Sequence, residues 1–183
     1  MTRIVAGTAG GRRIDVPPKG TRPTSDRVRE ALFSALESAM ELDGARVLDL
    51  YAGSGALGFE ALSRGAALAT FVESEHRAVE VLRRNAKALG LSGVDVRHGT
   101  ARSVLAGAPA GAYDLVLADP PYAVTNEELA LVLAGVVTWT APGGLVLVER
   151  AARSGEPSWP EGLEPFRSKK YGDTAVHWAE RPE

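Results

Sequence analysis

From residue 46 onward the chain alternates short apolar runs with segments of helical period, and this alternation limits its possible folds more than any other feature. Strands are expected at Arg46–Leu50, Ala69–Glu73, Val94–His98, Asp114–Ala118 and Leu145–Glu149. Between them the spacing predicts helices over about 57–64, 76–89, 101–106 and 126–137, the second of which stops at Gly90. Strands separated by helices pair in parallel, and the crossover helices cover both faces of the sheet. Two last candidate strands, near Glu164–Lys170 and Ala175–Ala179, are joined by Tyr171-Gly172-Asp173-Thr174. A close hairpin there adds antiparallel strands at one sheet edge.

The first 42 residues follow a different pattern and read as an extension ahead of a main domain spanning 43–183. Ile4-Val5-Ala6 and Arg13–Val16 are expected to form two short strands around Gly7-Thr8-Ala9-Gly10-Gly11, ended by Pro17-Pro18. Thr24 or Ser25 then caps a helix running to about Met40, with Val28, Leu32, Leu36 and Met40 on one apolar face. Charge is uneven. Residues 1–30 carry seven of the 21 Lys and Arg residues, Arg3, Arg12, Arg13, Arg22, Arg27 and Arg29 among them, and only three acids. That segment is +4 and the remainder is −6. A basic arm on an acidic body suits a polyanion, and a solubilising surface is the plain alternative.

At 183 residues the chain is long enough for one domain with a real core. With no cysteine it has no disulfide, thiol nucleophile or thiolate metal site, which fits a reducing compartment and an expected cytoplasmic location. The three histidines, His76, His98 and His177, are too scattered to suggest a metal cluster, and no metal is expected. Leu129 to Val148 is a run of twenty residues without a charge, but Pro142-Gly143-Gly144 interrupts it and acids flank it. A helix, a turn and a buried strand explain the run better than a membrane span.

Gly53-Ser54-Gly55-Ala56-Leu57-Gly58 follows the first strand of the alternating region and matches G-x-G-x-x-G. Glycines there let backbone approach a ligand, the following helix offers free N–H groups, and Glu73, at the end of the next strand, suits ribose hydroxyls. A purely structural strand-to-helix turn is the plain reading. The residue that separates the cofactors is Asp49. A carboxylate just before the loop repels a pyrophosphate and attracts a cation, so it favours the ammonium and sulfonium groups of S-adenosylmethionine over NAD.

Asp119-Pro120-Pro121-Tyr122 follows the fourth strand, at the carboxyl edge where ligands bind in doubly wound sheets. It resembles the D-P-P-Y motif of S-adenosylmethionine-dependent methyltransferases acting on exocyclic amino groups. Such an amine has its lone pair drawn into the aromatic ring. The Asp119 carboxylate and the Pro120 carbonyl can each accept one of its N–H groups, favouring a pyramidal nitrogen with its lone pair aimed at the methyl group. The prolines stiffen the loop in advance, and Tyr122 offers a flat face to a base.

Together with Arg22-Pro23-Thr24-Ser25-Asp26-Arg27-Val28-Arg29-Glu30, these segments make the chain similar over nearly its full length to the RsmD family of bacterial 16S ribosomal RNA guanine-N2 methyltransferases. Glu60-Ala61-Leu62-Ser63-Arg64-Gly65-Ala66, Phe71-Val72-Glu73 and Tyr171-Gly172-Asp173-Thr174 also match. The resemblance implies a class I S-adenosylmethionine-dependent methyltransferase fold: a Rossmann-like, mostly parallel seven-stranded sheet with an antiparallel edge hairpin. It implies methylation of one guanine N2 in 16S rRNA, within the small ribosomal subunit. Asp49, Gly53, Gly55 and Glu73 carry over as cofactor contacts, and Asp119, Pro120 and Tyr122 as the target-amine site. Many related enzymes place an aspartate after the third strand; here His98-Gly99-Thr100-Ala101 stands there, and Thr100 and Ala101 are expected near the adenine through their backbone. Arg22 and Thr24 are expected near the cofactor or target base. Arg3, Arg12, Arg13, Arg22 and Arg27 are expected to grip RNA phosphates. Three rivals remain at this level: a DNA adenine-N6 methyltransferase, an NAD-binding oxidoreductase, and a ribosome-assembly factor that only binds RNA.

Overall fold

The computed structural model describes residues 2–18, 25–109 and 112–183. The alternating region forms β3 (Arg46–Leu50), α2 (Ala56–Ser63), β4 (Leu68–Glu73), α3 (His76–Leu89), β5 (Val94–His98), α4 (Ala101–Leu105), β6 (Tyr113–Ala118), α5 (Asn126–Trp139) and β7 (Thr140–Ala151). A 3₁₀ turn at Ala152–Ser154 and the hairpin β8 (Glu164–Tyr171) and β9 (Thr174–Glu180) follow. The strands form one seven-stranded sheet in the order β5-β4-β3-β6-β7-β9-β8. The first five are parallel, and β9 runs antiparallel between β7 and β8. This is the parallel sheet with an antiparallel edge hairpin that the pattern predicts.

The order of a strand's neighbours explains where a ligand can sit. The chain winds outward from β3 to β4 and β5, then returns to β6 on the other side of β3. Loops leaving β3 and β6 therefore diverge to opposite faces and leave a crevice between them, at the switch point of the doubly wound sheet. Two apolar clusters fill the two faces. One includes Val47, Phe59, Phe71, Leu115, Leu147 and Trp178, and the other Leu48, Leu50, Val116, Val132, Trp139 and Val146. Adjacent strand residues alternate between them, as a pleat requires. All eight residues of α2 are buried, so it is a core helix rather than an amphipathic one.

The uncharged run is divided between α5 and β7. Its Pro-Gly-Gly segment lies inside the assigned strand, but β6 pairing jumps from Thr140 to Leu145 across it. Gly143 and Arg181 instead bond through Gly143 N–H and the Arg181 carbonyl at 2.7 Å. No described helix is long and apolar enough to cross a membrane.

The extension is shorter in strand than expected. Its ladder is β1 (Thr2–Arg3) with β2 (Arg13–Ile14), not Ile4–Ala6 with Arg13–Val16. The reason is a competing acceptor: Val5 and Ala6 N–H donate to the two carboxylate oxygens of Glu60, at 2.9 and 3.1 Å, rather than to a strand partner. Helix α1 (Asp26–Ala39) begins where predicted, with Ser25 Oγ accepting from Val28 N–H at 3.2 Å, while Thr24 lies outside the described residues. Arg29 departs from the reading of the arm as a cationic surface. It is fully buried, with Nε 3.1 Å from Glu60 and Nη2 2.9 Å from Asp26, and it also donates to the Arg3 carbonyl. Arg64 Nε meets the other Glu60 oxygen at 3.0 Å. Glu60 thus has two cations and two backbone donors, enough to offset the large desolvation cost of a buried carboxylate. Ile4, Ile14, Leu32, Phe33 and Leu36 belong to the same cluster as Val47 and Phe59, so extension and sheet share one core.

Candidate active site

The crevice at the switch point is a cleft of about 360 Å³. Asp49, Tyr51, Gly53 and Ser54 line one side, from the end of β3 and its loop. Asp119, Pro120, Pro121 and Tyr122 line a second, after β6. Glu149, Arg150 and Ala151 come from the end of β7, Tyr171 to Thr174 from the hairpin turn, and Val16, Pro17, Ser25 and Val28 from the extension.

Asp49 is 1% exposed, and its Oδ2 accepts from Gly58 N–H at 3.0 Å. Burial pushes its carboxyl up to about 8, because desolvation outweighs that hydrogen bond and the nearby charged group acting on it is another acid, Glu73. A buried acid whose charged neighbour is another acid favours a cationic ligand. Two glycines build the cradle. A Cβ on Gly58 would lie 2.3 Å from the Phe71 ring and 3.0 Å from the Asp49 carboxylate. Gly55 caps α2 at φ +87°, and a Cβ there would meet Phe59 and Leu82 at 2.4 and 2.5 Å. Its role is to let the loop turn tightly onto the core; it does not line the cleft.

Glu73 stands behind the loop. One of its oxygens accepts from Gly53 N–H and the other from Glu75 N–H, both at 2.8 Å. It does not line the cleft, and neither do Thr100 and Ala101. Thr100 Oγ1 caps α4 by accepting from Ser103 N–H at 3.0 Å, and Ala101 is buried. All three nevertheless lie at the same carboxyl edge, since Glu73 pairs with His98 and Gly99 N–H donates to the Glu73 carbonyl at 2.9 Å.

The D-P-P-Y segment emerges beside the glycine loop because Leu50 and Ala118 are register partners, so Tyr51 and Asp119 leave adjacent strands side by side. Asp119 is half-buried, Pro120 is buried, and Tyr122 is 61% exposed with the Arg153 guanidinium 5.9 Å from its ring centre. Val124 N–H donates to the Pro121 carbonyl at 3.0 Å, closing the turn.

Three features of the cleft were missed by the sequence reading. Tyr51 has φ +58°, the left-handed region, which costs a non-glycine residue about 1–2 kcal/mol. Such strain persists where surrounding structure imposes it, commonly at functional sites. Burial raises its phenol, Glu128 adds to the rise and Arg150 opposes it. Arg150 is buried, and its Nη2 donates to the Val124 carbonyl at 3.0 Å and to Asn126 Oδ1 at 2.9 Å, fixing the segment after D-P-P-Y. Asn85 on α3 joins extension to loop. Its amide accepts from Asp15 N–H and donates to the Asp15 and Ser54 carbonyls, all at 2.9 Å. A long-range contact such as Asn85 to Asp15 leaves no sequence signal. The Tyr171-Gly172-Asp173-Thr174 turn did leave one, its place in the family resemblance; the Asp173 carbonyl accepts from Ala152 N–H at 2.7 Å, which holds the turn at the cleft.

The cations expected to hold RNA are distributed around the extension. Arg3, Arg12, Arg13 and Arg27 are exposed, and Arg22 lies outside the described residues. Arg3 Nε is 3.8 Å from Asp26, and Arg12 donates to the Ala88 carbonyl at 2.7 Å. Arg3, Arg12, Arg13 and Arg27 do not line the cleft.

A family model described as "Conserved hypothetical protein 95" matches residues 2–180. The chain is 38% identical over 182 residues to Ribosomal RNA small subunit methyltransferase D of Escherichia coli strain K12, covering 98% of this chain and 89% of that protein. It is 37% identical over 152 residues to the protein of the same name from Haemophilus influenzae, covering 80% and 77%. Among solved structures, yhhF of Escherichia coli superposes with a TM-score of 0.88 at 34% identity, over 99% of this chain and 98% of that one. The sheet order, the antiparallel edge and these relatives agree on a class I methyltransferase fold. The chain belongs to the RsmD methyltransferase family.

Proposed function

We propose that the protein transfers a methyl group from S-adenosylmethionine to the exocyclic N2 of one guanine in 16S ribosomal RNA, within the small ribosomal subunit. The observation that carries this reading is one cleft holding a deeply buried acid, Asp49, beside a half-exposed one, Asp119, on a proline-stiffened loop. The names of the relatives support the ribosomal substrate.

The residues fit the cofactor. Asp49 would hold its cationic end, Gly53 would let the backbone approach, and Glu73, Thr100 and Ala101 lie along the same edge toward its adenosine. When bound, S-adenosylmethionine supplies an electrophilic methyl group on a sulfonium. The chain's own task is alignment. Asp119 would accept one N–H of the guanine amine and the Pro120 carbonyl the other, turning the nitrogen lone pair toward the methyl donor. Asp119 would also stabilise the positive charge that grows on nitrogen. Tyr122 would stack on the base, an interaction worth about 1–3 kcal/mol. Well-oriented reacting pairs reach effective molarities of about 10⁵–10⁸ M, so strong activation of the nucleophile is unnecessary. Arg3, Arg12, Arg13, Arg22 and Arg27 would neutralise phosphates; Arg3, Arg12, Arg13 and Arg27 would do so outside the cleft, consistent with their absence from its wall.

The test is methyl transfer from labelled cofactor to small-subunit particles, free ribosomal RNA and deproteinised DNA, with nucleoside mass spectrometry of the product. N2-methylguanosine in the small-subunit RNA is expected. N6-methyladenosine in DNA, or binding of the particle without turnover, would overturn the reading in favour of its rivals.

A further inference from the structure

The edge strand β8 is exposed along nearly all its length, yet it is not a generic polar edge. Residues 165–172 carry three cations, Arg167, Lys169 and Lys170, and no acid. The register gives Arg167 opposite Trp178 and Lys169 opposite Val176, with an irregularity between Pro165 and Arg167. Directly opposed residues share a face. Trp178 and Val176 belong to the cluster containing Leu32, Phe33 and Leu36 of α1, so Arg167 and Lys169 face the same side of the sheet as the basic extension. The irregularity also brings Phe166 against Trp178, with ring centres 6.1 Å apart, while Phe166 stays 53% exposed. Arg167 lies 5.0 Å from the Trp178 ring centre and Lys169 5.4 Å from that of Tyr171. From Phe166 to Tyr171 this stripe of aromatic and cationic groups is about 17 Å long at the usual strand rise. Tyr171 is a wall of the cleft, so the stripe leads directly into the site. At the far end Glu164 and Glu180 sit opposite one another and close it off.

We propose that this stripe is a platform for the single-stranded RNA flanking the target nucleotide, with Phe166 stacking on a base and Arg167 and Lys169 neutralising phosphates. The proposal rests on the RNA-methylating reading and adds a second set of contacts on the face of the basic arm, supplied from the opposite end of the sequence. Alternating stacking surfaces and cations are what sequence-tolerant single-strand binding needs. Lysines also protect an edge strand from pairing with another chain, but that duty gives an exposed phenylalanine no place, since it would promote such pairing.

The experiment measures binding of deproteinised small-subunit ribosomal RNA and of a labelled twelve-nucleotide uridine oligomer across a salt series. Arg167→Gln with Lys169→Gln should weaken both and flatten the salt slope by about 1.4, the loss of two single-strand phosphate contacts. Phe166→Ser should weaken binding by about 5- to 150-fold, one stacked base, with the slope unchanged. Arg167→Lys should restore most of the lost affinity. Cofactor binding and the circular dichroism spectrum should match the wild type in every variant. Variants that bind both RNAs like a wild type that itself binds well would overturn the platform alone. A wild type that binds neither RNA would overturn the platform too, whereas the ribosomal reading beneath it falls only if small-subunit particles are not methylated.

Discussion

Asp49 and Asp119 end neighbouring strands of one sheet and line one cleft, but their surroundings differ. Asp49 lies one residue before its strand ends, on a side chain enclosed by α2 and the Phe71 ring, with Gly58 N–H as its hydrogen-bond donor. Asp119 lies one residue past its strand and is half-buried on a loop. The shift of two positions sets how deeply each carboxylate is buried. A carboxylate sealed in the core has its charge penalised and gains from a ligand cation. One at the mouth keeps access to the substrate and can accept a hydrogen bond from it. In the proposed function, burial, not residue type, divides the labour between two aspartates.

Removing the mouth carboxylate should have the largest effect. Asp119→Ala should lower single-turnover methyl transfer by about 10²–10³-fold, the usual loss for one preorganised group at a site of developing charge. Cofactor affinity, measured by calorimetry, should change little. A parallel loss of cofactor binding would break the division of roles.

Asp49→Asn should do the reverse, weakening the cofactor more than it slows transfer at saturation. The pH dependence sharpens the point. Asp49 is protonated in the ligand-free fold below about pH 8, so cofactor affinity should rise with pH toward that value and level off above it. The same raised carboxyl acts on stability with a definite sign. Between its ordinary range near 3.8 and about 8, the folded state holds a proton that the unfolded state has released. The folded state's advantage is therefore complete below that window and is lost as pH rises through it. Thermal unfolding of the ligand-free protein should show the decline, and Asp49→Asn should flatten both profiles.

Arg150→Met tests the mouth from behind. Without its bonds to Val124 and Asn126 the segment after Tyr122 loosens, and kcat should fall by about tenfold, within the range that small misplacements of a reacting pair produce. Cofactor affinity should hold. The smallest effect is expected from Glu73→Gln. It removes the acid that helps raise Asp49, so the midpoint of the cofactor-affinity profile should move to lower pH, with methyl transfer at saturation little changed.

Much of this was legible without coordinates. The strand and helix alternation fixed the parallel sheet, and α3 and β5 fall on their predicted bounds, because hydrophobic period and a terminal glycine are local signals. Asp49 stood out because an acid before a glycine loop is chemically incongruous for a pyrophosphate site. The misses have a common cause. Val5 and Ala6 left their expected strand for Glu60, 54 or more residues away. Arg29 was counted as surface charge and is buried against the same acid. Neither contact has a period or a spacing that could announce it.

Sequence by itself settled the kind of sheet, the two acids at its carboxyl edge and the family, since these follow from short-range patterning and from motifs a few residues long. Only the tertiary structure decided which of the expected residues share the cleft, that Glu73 supports the loop from behind, and that Arg150 and Asn85 hold its parts together. It also placed the β8 cations on the face of the extension. These are matters of burial and of contacts between distant segments, and both exist only once the chain has closed on itself.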